Sequence, residues 1–122
     1  MKIAVAADGF EVTSTIPSLF SSASFLLIAD MDSCMICEAF EKSGDDPHNL
    51  GFAQIAADMQ CESVICGQLE KAPFDLLADG CITRSLGSGL TVEDALNCEC
   101  ILPLITEAVP AAQAPDSIKR IN

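Results

Sequence analysis

The stretch from Ser63 to Gln68, SVICGQ, constrains the fold of this chain more than any other. Its centre, Val64 and Ile65, is β-branched, and the first charged residue after it is Glu70. This pattern predicts a short buried strand that ends at a cysteine and a glycine. Apolar residues spaced three and four apart predict a helix on each side of it, at Phe52, Ile55, Ala56 and Met59 before the strand and at Phe74, Leu77 and Ala78 after it. A strand between two helices is typical of a parallel sheet whose faces the helices cover.

Ligands of such sheets bind outside the carboxyl ends of the strands, where the strand order reverses. Cys66 and Gly67 lie at one such end. The search for a functional site therefore begins at these two residues.

Length and composition favour one compact domain. The chain has 122 residues, enough for one core, and no uncharged apolar run approaches the roughly 18 residues that span a membrane. The opening MKIAVAA is too short for a signal peptide. We therefore expect a cytoplasmic protein. Its 7 cysteines, an odd number, are interpreted as thiols or metal–sulfur ligands rather than disulfides.

The charge balance is strongly acidic, with 18 Asp and Glu against 6 Lys and Arg. Such a surface repels phosphate backbones and anionic lipids. We expect neither a nucleic acid nor a membrane among the partners.

The rest of the chain predicts four further strands and one further helix. The strands cover Lys2 to Ala7, Phe25 to Asp30, Cys34 to Phe40 and Cys81 to Leu86, with a Ser/Thr-rich loop over residues 11–24. The first helix starts near Asn49, a candidate N-cap, and runs to Gln60. The helix after Cys66 has Pro73 in its first turn and Gly80 at its end. The last helix is capped by Thr91 and runs to about Cys98. One hairpin and two right-handed crossovers predict the strand order 3-2-1-4-5, with strands 1, 4 and 5 parallel.

The segments MKIAVAADG, FLLIAD, HNLGFAQIAADM, VICGQLEKAPFDLLADG and LGSGLTVEDAL, in this order, resemble the dinitrogenase iron–molybdenum cofactor biosynthesis family. The resemblance spans about the first 100 residues. It implies a ribonuclease H-like α/β fold with helices on both faces of a mixed five-stranded sheet. It also implies binding of an iron–sulfur or molybdenum–sulfur cluster or its precursor, with a cofactor-assembly or acceptor protein as partner. We expect a carrier-like domain over residues 1–102 and a Pro/Ala-rich tail over 103–122.

One departure from the family pattern concerns the loop after the first strand. The family commonly has a Ser-Ser-His-Phe-like segment there, whereas this chain has Thr13-Ser14-Thr15-Ile16-Pro17, without histidine. A metal ligand that relatives could draw from this loop is absent, so the site must be built differently.

The candidate site combines a soft thiolate with backbone donors. Cys66 is the candidate metal ligand, and Gly67 beside it permits close approach of a ligand. Gly87-Ser88-Gly89 leads into a helix N-terminus, whose free N–H groups attract anions. Asp8, Gly9 and Ser14 form the opposite wall, Arg84 lies near the same strand end, and His48 is a second candidate metal ligand on the rim. The alternatives are a core cysteine, an ordinary tight turn and a solvated histidine.

Two other chemistries receive less support. Cys34 and Cys37 have metal-ligand spacing, but residues i and i+3 of a strand point to opposite faces, so the pair should not bind zinc. A two-metal hydrolase needs clustered carboxylates, and Asp8 has no clear companion. We expect a non-catalytic protein; the alternatives are an interaction or regulatory module without a cluster and a metal-dependent hydrolase.

Overall fold

Residues 1–33, 35–42 and 44–110, which the computed structural model describes, form five strands and three α-helices. In chain order these are β1 (Lys2–Ala7), β2 (Phe25–Asp30), β3 (Met35–Glu41), α1 (Leu50–Asp58), β4 (Ser63–Cys66), α2 (Lys71–Asp79), β5 (Thr83–Leu86) and α3 (Val92–Asn97). Short 3₁₀ turns cover Phe20–Ser22 and Glu99–Ile101.

The five strands form one mixed sheet in the order β3-β2-β1-β4-β5, which confirms the predicted order. β1, β4 and β5 are parallel, while β2 is antiparallel to both β1 and β3. The strand that ends at Cys66 lies between β1 and β5, inside the sheet. Helical crossovers account for the parallel pairs, and a hairpin accounts for β2 and β3.

Helices pack against both faces of the sheet, because the buried strands alternate between two cores. On the face that we call the α1–α2 face, Ala4, Ala6, Val64 and Cys66 pack with side chains of α1 and α2. On the opposite face, which we call the α3 face, Ile3, Val5, Ala7 and Ile65 pack with Val92 and Ala95 of α3.

The start of α1 differs from the prediction. Asn49 occupies the N-cap position, but its side chain caps nothing. Its backbone is left-handed, at φ 55°, and its Nδ2 donates to the carbonyls of Phe20 and Ala23 at 2.8 and 3.0 Å. The carboxylate of Asp46 replaces it as the cap, accepting from the N–H groups of Leu50 and Gly51 at 3.0 and 2.7 Å. The asparagine therefore anchors the loop before β2 instead of the helix.

Both long helices end in the same way, with a left-handed residue other than glycine. These residues are Gln60 at φ 58° and Cys81 at φ 59°, each one position after the C-cap. The next N–H, of Cys61 or Ile82, returns to the helix in a Schellman motif. Because Cys81 has a left-handed backbone, the fifth strand begins at Thr83 and not at Cys81 as predicted.

Residues 103–110, which we predicted as the start of a tail, pack on the domain. Ile105 donates to the carbonyl of Arg84 at 2.7 Å and is buried, and Val109 donates to the carbonyl of Leu69 at 2.7 Å. This segment covers the outer edge of β5, through the bridge between Ser85 and Leu104. The rest of the predicted tail, 111–122, lies outside the described residues. None of the described helices has the length and apolar character needed to cross a bilayer.

Candidate functional site

The β1–β2 loop, residues 8–24, crosses the carboxyl ends of the three parallel strands. Asp8 donates its N–H to the carbonyl of Thr15 at 2.9 Å, which folds the loop back over the end of β1. Ile16 exchanges hydrogen bonds of 2.9 Å with residues 89–90, after β5, and Gln68, after β4, donates to Ser18 at 2.8 Å. The loop therefore covers the place where the sequence predicted a ligand.

The two predicted walls of the site meet each other. One wall consists of Asp8, Gly9 and Ser14, which lie close together. A Cβ built on Gly9 would be 2.5 Å from the Ser14 hydroxyl oxygen. The Ser14 carbonyl accepts the N–H of Val92, the first residue of α3, at 2.9 Å. Gly89 in turn donates to the carbonyl of Ile16. The structure thus brings these predicted residues together, but as two segments joined by backbone hydrogen bonds.

Several of the backbone donors that were expected to hold an anion already have acceptors. Gly87 donates to the carbonyl of Cys66 at 2.9 Å, and Gly89 to that of Ile16. In the first turn of α3, Glu93 donates to the carbonyl of Val12, and the predicted Thr91 cap is confirmed because its hydroxyl accepts from Asp94. With the loop in this position, these N–H groups cannot also bind a cluster.

Cys66 is fully buried on the α1–α2 face, with none of its surface exposed. The prediction that its sulfur faces the site is wrong for this conformation. Strand alternation is the reason, since Val64 and Cys66 share one face of β4 and Ile65 takes the other. Burial raises the pKa of the Cys66 thiol, with a smaller opposing effect from Arg84, so the neutral thiol is strongly favoured.

Gly67 was predicted to let a ligand approach closely, and in the structure the backbone of the β1–β2 loop takes that position. A Cβ built on Gly67 would lie 2.5 Å from the carbonyl carbon of Ser18 and closer still to the Pro17 oxygen. This contact fixes the height of the loop above the end of β4.

His48 is the predicted ligand whose environment suits a metal. Its Nδ1 lies 2.8 Å from Oε1 of Glu70, and 43% of its side chain is exposed. An ionised carboxylate only accepts, so Nδ1 carries a proton, and in the neutral imidazole Nε2 then has the lone pair that a metal would need. Carboxylates orient metal-binding histidines in this way. The neighbouring Asn49 is bonded to Phe20, which places His48 beside the end of the loop.

Arg84 has a structural role away from the loop. Its Nη1 donates to the carbonyl of Ile82 at 2.8 Å and its Nε to that of Ile105 at 3.4 Å. The guanidinium lies 4.7 Å from the centre of the Phe74 ring. Arg84 therefore fastens residues 103–110 to β5, and its place at a binding site stays a prediction.

A preformed cage of metal ligands is absent from the described part of the chain, where no three His, Cys, Asp or Glu side chains converge. Cys34 lies outside the described residues, so the prediction for Cys34 and Cys37 stays a prediction. Cys37 donates its thiol to the carbonyl of Ile28 at 3.4 Å. The sequence analysis missed Glu70, because nothing local links it to a histidine 22 positions earlier.

The fold and the loop define a small mixed α/β domain with a long loop over the carboxyl edge of its sheet. The model of the dinitrogenase iron-molybdenum cofactor family matches residues 1–98, and the chain belongs to this family.

Solved structures share the fold. The apo form of the orange protein from Desulfovibrio gigas has a TM-score of 0.74 at 19% identity, covering 86% of this chain and 92% of that one. A putative NifB protein from Thermotoga has a TM-score of 0.72 at 21% identity, covering 88% and 96%. A putative dinitrogenase from Methanocaldococcus jannaschii has a TM-score of 0.63 at 16% identity, also covering 88% and 96%. No curated protein sequence matches the chain.

Proposed function

We propose that this chain binds an anionic metal–sulfur cluster or its precursor without catalysing a reaction, in cofactor assembly or metal handling. The observation that carries the proposal is family membership over residues 1–98, a range that includes the whole β1–β2 loop. A cofactor-assembly or acceptor protein would exchange the cluster with it. The ribonuclease H-like relationship and the cytoplasmic location stay predictions.

The proposed binding surface is the outer side of the β1–β2 loop next to His48. Ser18 is exposed there, and Gln68 and His48 are partly exposed. Hydroxyl and amide groups donate hydrogen bonds to sulfide, and the Nε2 of His48 offers one ligand to iron or molybdenum. In this proposal Gly9, Gly67 and residues 87–89 support the loop and do not touch the cluster.

Electrostatics limit how strongly the cluster is held. The formal net charge of −12 repels an anion, although salt screens this repulsion beyond about 8 Å at physiological ionic strength. Glu70, which accepts from His48 at 2.8 Å, adds a negative charge next to the proposed ligand. One protein ligand on a half-exposed surface suits cargo that must be released, so we expect reversible binding.

The test is anaerobic reconstitution of the full chain with iron and sulfide, or with tetrathiomolybdate. The visible spectrum and the metal content after gel filtration are the readouts. Wild type should retain colour, His48→Asn should lose most of it, and Glu70→Gln should retain an intermediate amount because the imidazole is less well oriented.

The matched control is Cys66→Ala, which removes the buried thiol. It should retain as much metal as wild type, since the thiol does not reach the surface. Loss of colour in Cys66→Ala but not in His48→Asn would show that the loop opens and that the thiolate is the ligand. No retention by wild type with either reagent would reject the carrier function and favour an interaction module without a cluster.

A further inference from the structure

The two faces of the sheet are covered unequally. Two helices of nine residues each cover the α1–α2 face, whereas α3, on the other face, has six residues. A groove of about 220 Å³ remains between α3 and the β2–β3 hairpin. Its walls include the apolar side chains of Val12, Ala29, Ile36 and Leu96, and Glu93 lies on its rim.

The two edges of the sheet also differ in how far they are covered. Beyond β5, the bridge from Ser85 to Leu104 covers the edge. β3 ends the sheet on the other side, and in the described residues it pairs with β2 alone. Its seven residues are mostly exposed, with Met35 at 64%. An uncovered strand edge presents backbone N–H and C=O groups to which another strand can pair.

The charges around the β3 edge indicate which kind of strand could pair with it. Glu38 and Glu41 are exposed on β3, and Glu93 borders the groove. Three cationic side chains have described contacts of their own: Lys42 with the Ser21 carbonyl, Lys71 with Asp75, and Arg84 with backbone carbonyls. A second copy of the chain would bring the same acidic strand and be repelled.

We propose that β3 and the adjoining groove form a docking surface for an extended, Lys- or Arg-rich segment of another protein. The segment adds as a sixth strand beside β3. Its apolar side chains on the α3 face lie next to Ile36 and Ala39, and its basic side chains, which alternate onto the α1–α2 face, lie next to Glu38. Backbone pairing supplies affinity, while charge supplies partner choice and a fast association rate. The proposal stands independently of cluster binding.

The probe is an acetylated heptapeptide of alternating lysine and valine, titrated into the full chain at low ionic strength. Two controls are the glutamate–valine peptide and a lysine–valine peptide with N-methylated backbone amides. The lysine–valine peptide should bind at least about tenfold more tightly than either control and weaken as salt is added. Hydrogen exchange of the β3 amides should slow when it binds, and that of the β5 amides should not.

Two charge reversals locate the site. Glu38→Lys should weaken peptide binding by about fivefold, whereas Glu107→Lys, which changes the net charge equally beside the opposite edge of the sheet, should change it by less than about twofold. Equal effects of the two variants would show attraction to the whole acidic body and overturn the site. Equal binding of the N-methylated peptide would overturn strand addition. Sedimentation as a dimer that Met35→Lys or Ala39→Lys dissociates would make a second copy the occupant and reject the basic partner.

Discussion

Replacing Gly67 with alanine should lift the β1–β2 loop from the end of β4. The new methyl group would overlap the backbone of Pro17 and Ser18, with a separation of 2.5 Å from the carbonyl carbon of Ser18. Backbone atoms cannot rotate away as a flexible side chain can. The loop must therefore move, and its hydrogen bonds with Gln68, of 2.8 Å each, must lengthen or break.

The expected cost follows from these contacts. Overpacking in a tight site costs about 1–3 kcal/mol. Each of the two hydrogen bonds, Gln68 N–H to the Ser18 carbonyl and Phe20 N–H to the Gln68 carbonyl, contributes about 1 kcal/mol. Because the loop relaxes partly, we expect Gly67→Ala to lower the free energy of unfolding by about 2–4 kcal/mol, measured by urea denaturation.

A second readout reports on the loop itself. Cys66 is unexposed, has a raised pKa and shares its core with Phe20 and Ala23 of the loop, so alkylation of its thiol requires an opening. If Gly67→Ala makes that opening easier by about 2 kcal/mol, labelling of Cys66 should become about 30-fold faster. Mass spectrometry of the peptides after N-ethylmaleimide treatment separates Cys66 from the other cysteines.

Gly51→Ala is the matched control. Its new methyl group would meet the Asp46 carboxylate at 3.1 Å, a flexible side chain, and alanine is favoured over glycine within helices by about 0.5–1 kcal/mol. We expect unchanged or slightly raised stability and unchanged labelling. If Gly67→Ala behaves like Gly51→Ala in both assays, the loop does not pack on Gly67, and the covered site described above is wrong.

Three smaller predictions test the local structure. Asn49→Ala removes two hydrogen bonds to the loop and strains a left-handed backbone, so it should cost about 2–4 kcal/mol in urea unfolding, with a smaller loss for Asn49→Gly. Gln60→Gly relieves a left-handed φ of 58° and should raise the free energy of unfolding by up to about 1 kcal/mol, which a higher midpoint of thermal unfolding would report. The N–H groups of Gly51 and then Leu50 lower the pKa of Asp46, so its stabilisation is present above the unfolded-state pKa and lost as pH falls through the folded value. Thermal melts should show this loss below about pH 4, with a weaker pH dependence in Asp46→Asn.

The apolar runs of the sequence were enough to predict the strands and their order. A buried stretch such as Ser63–Cys66 has few alternatives to a central parallel strand, and the hairpin and crossover rules then leave one arrangement. Thr91 was predictable as a cap because its partner, Asp94, lies three residues away. Such features depend on contacts within one turn or one strand.

The site depended on contacts that the sequence does not encode locally. β4 is buried on both faces, so its apolar pattern could not say which face Cys66 would take. Pairing with β1 and β5 settled that, and it placed the sulfur against α1 and α2. The hydrogen bond between His48 and Glu70 forms only because the crossover helix α1 returns the chain to the sheet. The β1–β2 loop covers the edge because residues more than 70 positions away accept and donate its backbone hydrogen bonds. Burial and long-range pairing, which only the folded chain supplies, thus decided the surroundings of every candidate ligand.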